Sequence, residues 1–276
     1  MTAEQGGDVR LVEARHGRFF VLETDLYVGR SLSVYGEWTE EEVTLIGQAL
    51  RPGDCVADVG ANIGSHTVPF AKAVGPGGRV MAFEPQPRVF QLLAANVTIN
   101  GLANVRLYHA ACAAQVGTLS LPDIDTGVPS NFGGVRVREL QAAGETAGHS
   151  MHHVPIVRLD DVYDFDRLRA MKIDVEGMEL DVLAGAQRTI ARFRPLIYIE
   201  NEEPETSPQL LQALIDLDYT PYWHVVPFFD PRNFRAVPQD VFSNMGCVNN
   251  LCIPEEVSVE LHGLRRVAST AEHPRL

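Results

Sequence analysis

The chain has 276 residues, 45% hydrophobic and 21% charged, enough to bury the core of one large domain or two small ones. Its 23 Lys and Arg against 36 Asp and Glu leave a formal charge of −13, which argues against a general nucleic-acid or anionic-membrane binder, since such partners need a clustered positive field. Four cysteines make no disulfide scaffold, residues 1–10 lack a signal-peptide core, and no run approaches the ~18–20 apolar residues of a membrane span, so a cytoplasmic location is expected.

In chain order, residues 1–50 read as an N-terminal extension or helical cap. Thr39 to Leu50 is expected to be an amphipathic helix with Thr39 as N-cap and Glu42 closing a capping box. From 51 to 265, strand-like runs alternate with helix-like stretches, the mark of an α/β domain built on a mostly parallel sheet. Cys55–Val59 is a strand, Ile63–Val74 a helix stopped by Gly75-Pro76-Gly77-Gly78, Arg79–Phe83 a strand, Pro87–Ile99 a helix closed by Asn100-Gly101, and Val105–Ala110 a third strand. A β-rich insertion spans about 113–158, with short runs at Gly117–Leu121, Val135–Val137 and Val154–Leu159 and a loop tip at Gln141–Ser150. Met171–Val175, Pro195–Glu200 and Tyr219–Val226 complete the strands, separated by helices over Met178–Phe193 and Gln209–Leu217, and 266–276 is a C-terminal tail. Cys55 and Cys112 read as small core residues, and Cys247 and Cys252 lack partners at zinc-ligand spacing. Only Lys72 and Lys172 among the basic residues are lysines, a bias ascribed to GC-rich coding.

The most informative stretch is Asp58-Val59-Gly60-Ala61-Asn62-Ile63-Gly64, a strand running into a glycine turn and then a helix. A dinucleotide fingerprint has a second glycine where Asn62 stands. The spacing suits a ligand with a nucleoside and an amino-acid arm, with Asp58 placed to attract an ammonium group. Glu84, 26 residues after Asp58 at the end of the next strand, is suited to accept both ribose hydroxyls. Nicotinamide dinucleotides would satisfy Glu84 as well, so a nicotinamide-dependent oxidoreductase is the alternative, and a non-catalytic cofactor-binding partner protein is a third reading.

These motifs resemble the FkbM family of S-adenosylmethionine-dependent methyltransferases, a class I, Rossmann-like group. The likeness continues through Tyr35-Gly36-Glu37-Trp38, Phe83-Glu84-Pro85, Asn131-Phe132-Gly133-Gly134, Arg158-Leu159-Asp160-Asp161 and Met171-Lys172-Ile173-Asp174-Val175-Glu176-Gly177, covering about residues 30–200. The resemblance implies O-methylation of a small molecule, a sugar or secondary metabolite, with S-adenosylhomocysteine as product. It assigns Asp58, Gly60, Ala61, Asn62 and Gly64 to the cofactor turn, Glu84 with Pro85 to the ribose, Ala111 to the adenine, and Ser65 and Thr67 to the methionine carboxylate.

Ligands of open α/β sheets sit beyond the carboxyl ends of the strands. The catalytic candidates there are Asp174, Glu176, Glu200 and His224, any of which could assist loss of the acceptor's proton. Asp174, Glu200 and Asn201 also carry oxygen ligands that suit Mg²⁺, an option that is not favoured. His66, beside the turn, is a neighbour of the methionine arm. Tyr35, Glu37, Asn131 and Asn233 are the acceptor-pocket candidates. The acidic charge and the absence of a [DN]-P-P-[YFW] tetrapeptide disfavour a nucleic-acid N-methylase, and homo-oligomerisation is left open.

Overall fold

The computed structural model describes residues 9–134 and 151–275. Its strands are β1 (Val9–Ala14), β2 (Gly17–Leu22), β3 (Cys55–Val59), β4 (Arg79–Phe83), β5 (Val105–Tyr108), β6 (Ala111–Cys112), β7 (Gly117–Pro122), β8 (Met151–Val157), β9 (Ala170–Ile173), β10 (Leu196–Glu200), β11 (Tyr219–Pro227), β12 (Gly246–Pro254) and β13 (Arg265–Arg266). The helices are α1 (Val28–Val34), α2 (Glu40–Ala49), α3 (Thr67–Val74), α4 (Pro87–Ile99), α5 (Leu159–Val162), α6 (Glu179–Gly185), α7 (Gln187–Phe193) and α8 (Ser207–Asp216).

Eight strands form one sheet in the order β13-β11-β12-β10-β9-β3-β4-β5. The pairs from β10 to β5 are parallel, as their continuous apolar runs require, and β12 runs antiparallel between β10 and β11. The fold is therefore α/β with the mostly parallel, Rossmann-like sheet expected of a class I methyltransferase. One face packs Ala57, Val59, Met81 and Ile173 against α6, α7 and α8, and the other packs Val56, Val80 and Tyr198 against Ile46 of α2 and Phe70 and Val74 of α3. From β3 the chain winds out through β4 and β5, then returns to add β9 and β10 on the other side. That reversal leaves a crevice at the carboxyl ends of β3 and β9.

Strands 55–59 and 79–83 and helix 87–99 coincide with the sequence reading, but three expectations are corrected. The helix after β3 starts at Thr67 rather than Ile63, because Gly60, Asn62 and Gly64 all have positive φ and no right-handed helix can run through them. The capping box of α2 is absent: Thr39 is itself left-handed, makes no side-chain cap, and Glu42 is bonded elsewhere. The stretch 178–193 is two helices, broken at Ala186, whose φ of −120° and ψ of 8° are not helical; the new N-terminus is capped by Asp160, whose carboxylate accepts the N–H groups of Arg188 at 3.0 Å and Thr189 at 2.7 Å.

The N-terminal segment is a β1–β2 hairpin followed by α1, neither of which the sequence reading placed. Asn96, wholly buried on α4, receives the Phe20 N–H at 2.6 Å and returns a bond to the Phe20 carbonyl at 3.1 Å; Asn100 treats Arg18 in the same way. Two side-chain amides one helical turn apart thus stand in for a neighbouring strand. The insertion forms a small sheet, β6-β8-β7, in which β7 and β8 are antiparallel. The expected run at Val135–Val137 and the tip at Gln141–Ser150 lie outside the described residues. Among the described residues no helix is long and apolar enough to cross a membrane.

Candidate functional site

The turn after β3 is fixed by its neighbours. A Cβ on Gly60 would overlap the Asp174 carbonyl oxygen, so glycine is demanded here by the adjoining strand end as well as by φ +85°. Asn62 holds φ +50°, donates its N–H to Glu84 Oε2 at 3.0 Å and accepts the Ile63 N–H at 2.6 Å. Glu84 Oε1 accepts the Gln86 N–H at 2.8 Å, so one carboxylate clamps the turns after β3 and β4 together. Burial lifts the Glu84 pKa to about 7 against the pull of those two N–H donors, with Asp174 and Asp58 pushing it further up.

Asp58 is completely buried; its Oδ2 accepts the Thr67 hydroxyl at 2.5 Å and its Oδ1 has no partner. Thr67 is thereby turned to Asp58, whereas Ser65 lines the main cleft. Beside Glu84 a narrow cavity of about 40 Å³ is walled by Phe83, Pro85, Ala111, Cys112 and Met178. Gln86 borders it, donating its Nε2 to the Phe132 carbonyl at 2.7 Å and leaving a buried Oε1 without a partner.

The main cleft, about 330 Å³, runs from this turn across the ends of β9 and β10. Oxygens of Asp174, Glu176 and Glu200 lie within 4.8 Å of one another on its floor. This spacing would admit one divalent cation, although Asp174 already has a cation: buried Lys172 donates to its Oδ2 at 2.7 Å. Burial alone would depress the Lys172 pKa, but Asp174, Asp58 and Glu42 hold it above the usual lysine value. Burial, then the charges of Asp174 and Glu176, drive the Glu200 pKa well above the carboxylate range. Asn201 does not join this group; its amide bonds to Asn250 Oδ1 at 2.7 Å.

The opposite wall is aromatic, formed by Tyr27, Trp38 and Phe228, with Trp38 and Phe228 4.8 Å apart between ring centroids. Of the four acceptor-pocket candidates only Asn131 lines this cleft. Tyr35 is buried and ties the loop at 239–241 through its hydroxyl, Glu37 is paired with Arg15 at 2.7 Å and accepts the Phe234 N–H, and Asn233 clasps its own loop through Asp230 and Val237. Nor is His224 brought to the cleft: it accompanies Glu41 and Arg232 along a separate surface groove, bonded to Tyr198 at 2.8 Å. The sequence reading gave Trp38, Phe228 and Lys172 no part in the site, and Glu42 only a capping role. Trp38 was visible in the motif at 35–38, Phe228 in the aromatic residues that follow the strand at 219–226, and Lys172 as a charge inside an apolar strand.

Residues 58–221 match the family model described as the methyltransferase FkbM domain. Methyltransferase sdnD of Sordaria araneosa is 29% identical over 185 residues, 58% of this chain and 71% of that protein. The 31-O-demethyl-FK506 methyltransferase FkbM of Streptomyces tacrolimicus is 34% identical over 164 residues, 51% of this chain and 62% of that one. The 2-O-methyltransferase NoeI of Sinorhizobium fredii is 27% identical over 202 residues, covering 67% and 78%. These findings lend no support to the nicotinamide-dependent alternative. The chain belongs to the FkbM methyltransferase domain family, and S-adenosylmethionine is the methyl donor that membership supplies.

Proposed function

We propose that the protein transfers the methyl group of S-adenosylmethionine to a hydroxyl of a small molecule held in the main cleft. The observation that carries this reading is the clamp of Glu84 across the turns after β3 and β4, set between a narrow apolar cavity and a carboxylate-floored cleft. The residues fit the donor. Glu84 keeps acceptor capacity for ribose hydroxyls beyond its two N–H bonds. Phe83, Pro85, Ala111 and Met178 offer apolar walls to adenine, and the orphaned Gln86 Oε1 borders the same cavity. Asp58, oriented by Thr67 and with Oδ1 unsatisfied, suits the ammonium of an amino-acid arm, while Gly60, Ala61, Asn62, Gly64 and Ser65 shape the turn beside it.

When bound, the donor supplies an electrophilic methyl on sulfonium, and the chain's task is alignment and removal of a proton. Orientation of two bound reactants is worth about 7–11 kcal/mol in favourable cases. Trp38, Phe228 and Tyr27 would wall the acceptor, Asn131 would bond it, and Asp174, Glu176 and Glu200 would accept its hydroxyls. Lys172 fixes Asp174 without a metal, and the reading needs no Mg²⁺. The hydroxyl as target is supported by the 31-O- and 2-O- positions in the names of the two bacterial relatives.

Thermal unfolding with S-adenosylhomocysteine, S-adenosylmethionine and NAD⁺ in parallel tests the assignment, because a ligand at about 100 times its Kd stabilises the folded state by about 2.7 kcal/mol. A higher melting temperature with the first two and none with NAD⁺ is expected. A shift with NAD⁺ alone would overturn it.

A further inference from the structure

His66 and Glu42 stand in the main cleft but have no part in the function proposed above. His66 ends the cofactor turn at the start of α3, while Glu42 comes from the first turn of α2; both are buried, and both line the cleft that Trp38 and Phe228 wall. Three donors converge on the Glu42 carboxylate. Oε1 receives Cys247 Sγ at 3.1 Å and Asn249 Nδ2 at 3.3 Å, and Oε2 lies 3.1 Å from His66 Nε2. An ionised carboxylate can only accept, so His66 Nε2 must carry a proton, and in a neutral ring Nδ1 is then bare. Thr39, whose hydroxyl is 3.3 Å away, is on the same nitrogen, and among the described residues Nδ1 has no hydrogen-bond partner. This is the arrangement in which a carboxylate orients a histidine and leaves its other nitrogen free to take a proton.

We propose that His66 is the general base of the reaction, its ring oriented by Glu42. The inference rests on the hydroxyl-methylating reading given above. A lone pair of the acceptor oxygen forms the new O–C bond as the methyl–sulfur bond breaks, the bonding pair leaving with sulfur as neutral thioether. The hydroxyl proton passes to His66 Nδ1 and from there to solvent. The charged and titratable groups around the His66–Glu42 pair are Lys172 on β9, Tyr198 on β10, His224 on β11 and Cys247 on β12. Burial disfavours the Glu42 carboxylate, but the hydrogen bonds from His66 and Cys247 and the charge of buried Lys172 favour it, so the orienting group is an acceptor beside a neutral ring. Among the other candidates, Asp174 is held by Lys172 and Glu200 sits in a field of carboxylates, whereas His66 lines the cleft and its Nδ1 is unbonded among the described residues.

The first test needs no acceptor. Long-range ¹H–¹⁵N spectra of histidine-labelled protein at pH 8, with His66 assigned by its loss in His66→Asn, should show Nε2 protonated and Nδ1 bare. A proton on Nδ1, or on both nitrogens, would overturn the proposal. The second uses the acceptor found by screening hydroxylated small molecules. His66→Asn should lower the single-turnover rate ~10²–10³-fold, within the range for a lost general base, with S-adenosylhomocysteine affinity unchanged within about twofold. Glu42→Gln should keep affinity but lose about tenfold in rate. A wild-type rate in His66→Asn, or loss of its S-adenosylhomocysteine affinity, would overturn the assignment. Failure of the wild-type protein to bind S-adenosylhomocysteine would strike the proposed function instead, while the tautomer is read in the protein alone.

Discussion

The two halves of the cleft are built in different ways. The cofactor half comes from two consecutive strand–turn units, β3 to α3 and β4 to α4, within 30 residues of one another (Cys55 to Glu84), and its critical bonds join backbone N–H groups to one carboxylate. The acceptor half is gathered from separated segments: Trp38 and Glu42 from the N-terminal part, Asn131 from the insertion, and Phe228, Cys247 and Asn249 from the last strands and their connection. In the first half local sequence dictates local geometry. In the second, geometry exists only once β10, β11 and β12 are paired.

The largest expected effect is in the cofactor half. Gly60→Ala drives a methyl into the Asp174 carbonyl at a backbone angle alanine avoids, so a loss of about 4 kcal/mol or more is expected in denaturant unfolding. A loss under about 1 kcal/mol would show that the strand ends can part. Next comes Glu84. Its pKa is raised from 4.5 to about 7 in the folded protein, so the ligand-free fold binds this proton more tightly than the unfolded chain does. Stability from this group is complete below the unfolded value and is lost as pH rises through about 7, at a cost of roughly 3 kcal/mol between the two pH limits. Glu84→Gln should remove that slope from the stability profile, and Glu84→Ala should weaken S-adenosylhomocysteine binding by about tenfold to a hundredfold. An unaltered slope or unaltered affinity would remove Glu84 from its assigned role.

That contrast explains what could be read from the chain. Cys55–Val59, Arg79–Phe83 and Pro87–Ile99 were legible because apolar runs there are punctuated by glycine, proline and Asn100-Gly101, all local signals. The turn from Asp58 to Gly64 and the acid at Glu84 were legible for the same reason. Thr39 misled because it has the residue type of a cap, yet its backbone is left-handed and its hydroxyl lies against His66. β12 was missed because Asn249 and Asn250 are buried where a strand pattern demands apolar residues, and they bond there to the distant Glu42, Asn201 and Tyr222. Tyr35, Glu37 and Asn233 sit near the acceptor half in sequence motifs but spend their polar atoms on loops. His224 looked suited to catalysis among its aromatic neighbours, and strand register instead puts it opposite Asn249 and beside another groove. No local pattern distinguishes such a residue from one that faces a ligand.

Smaller effects should come from the acceptor half. Trp38→Ala removes one wall and should raise the acceptor KM about tenfold, the scale of a partly lost apolar contact, with S-adenosylhomocysteine affinity unchanged. A matching loss of cofactor affinity would mean that the halves are not separable. The smallest effect probes backbone alone. Gly47 of α2 has open space where a Cβ would stand, so Gly47→Ala should stabilise the fold by about 0.5–1 kcal/mol in the same unfolding assay.

The central claim is tested most directly by calorimetric titration of S-adenosylhomocysteine into the wild-type protein and the Glu84→Ala variant side by side. Saturable binding at one site per chain, weakened by the substitution, is the predicted result. No binding to the wild-type protein, or equal binding to both, would contradict the account.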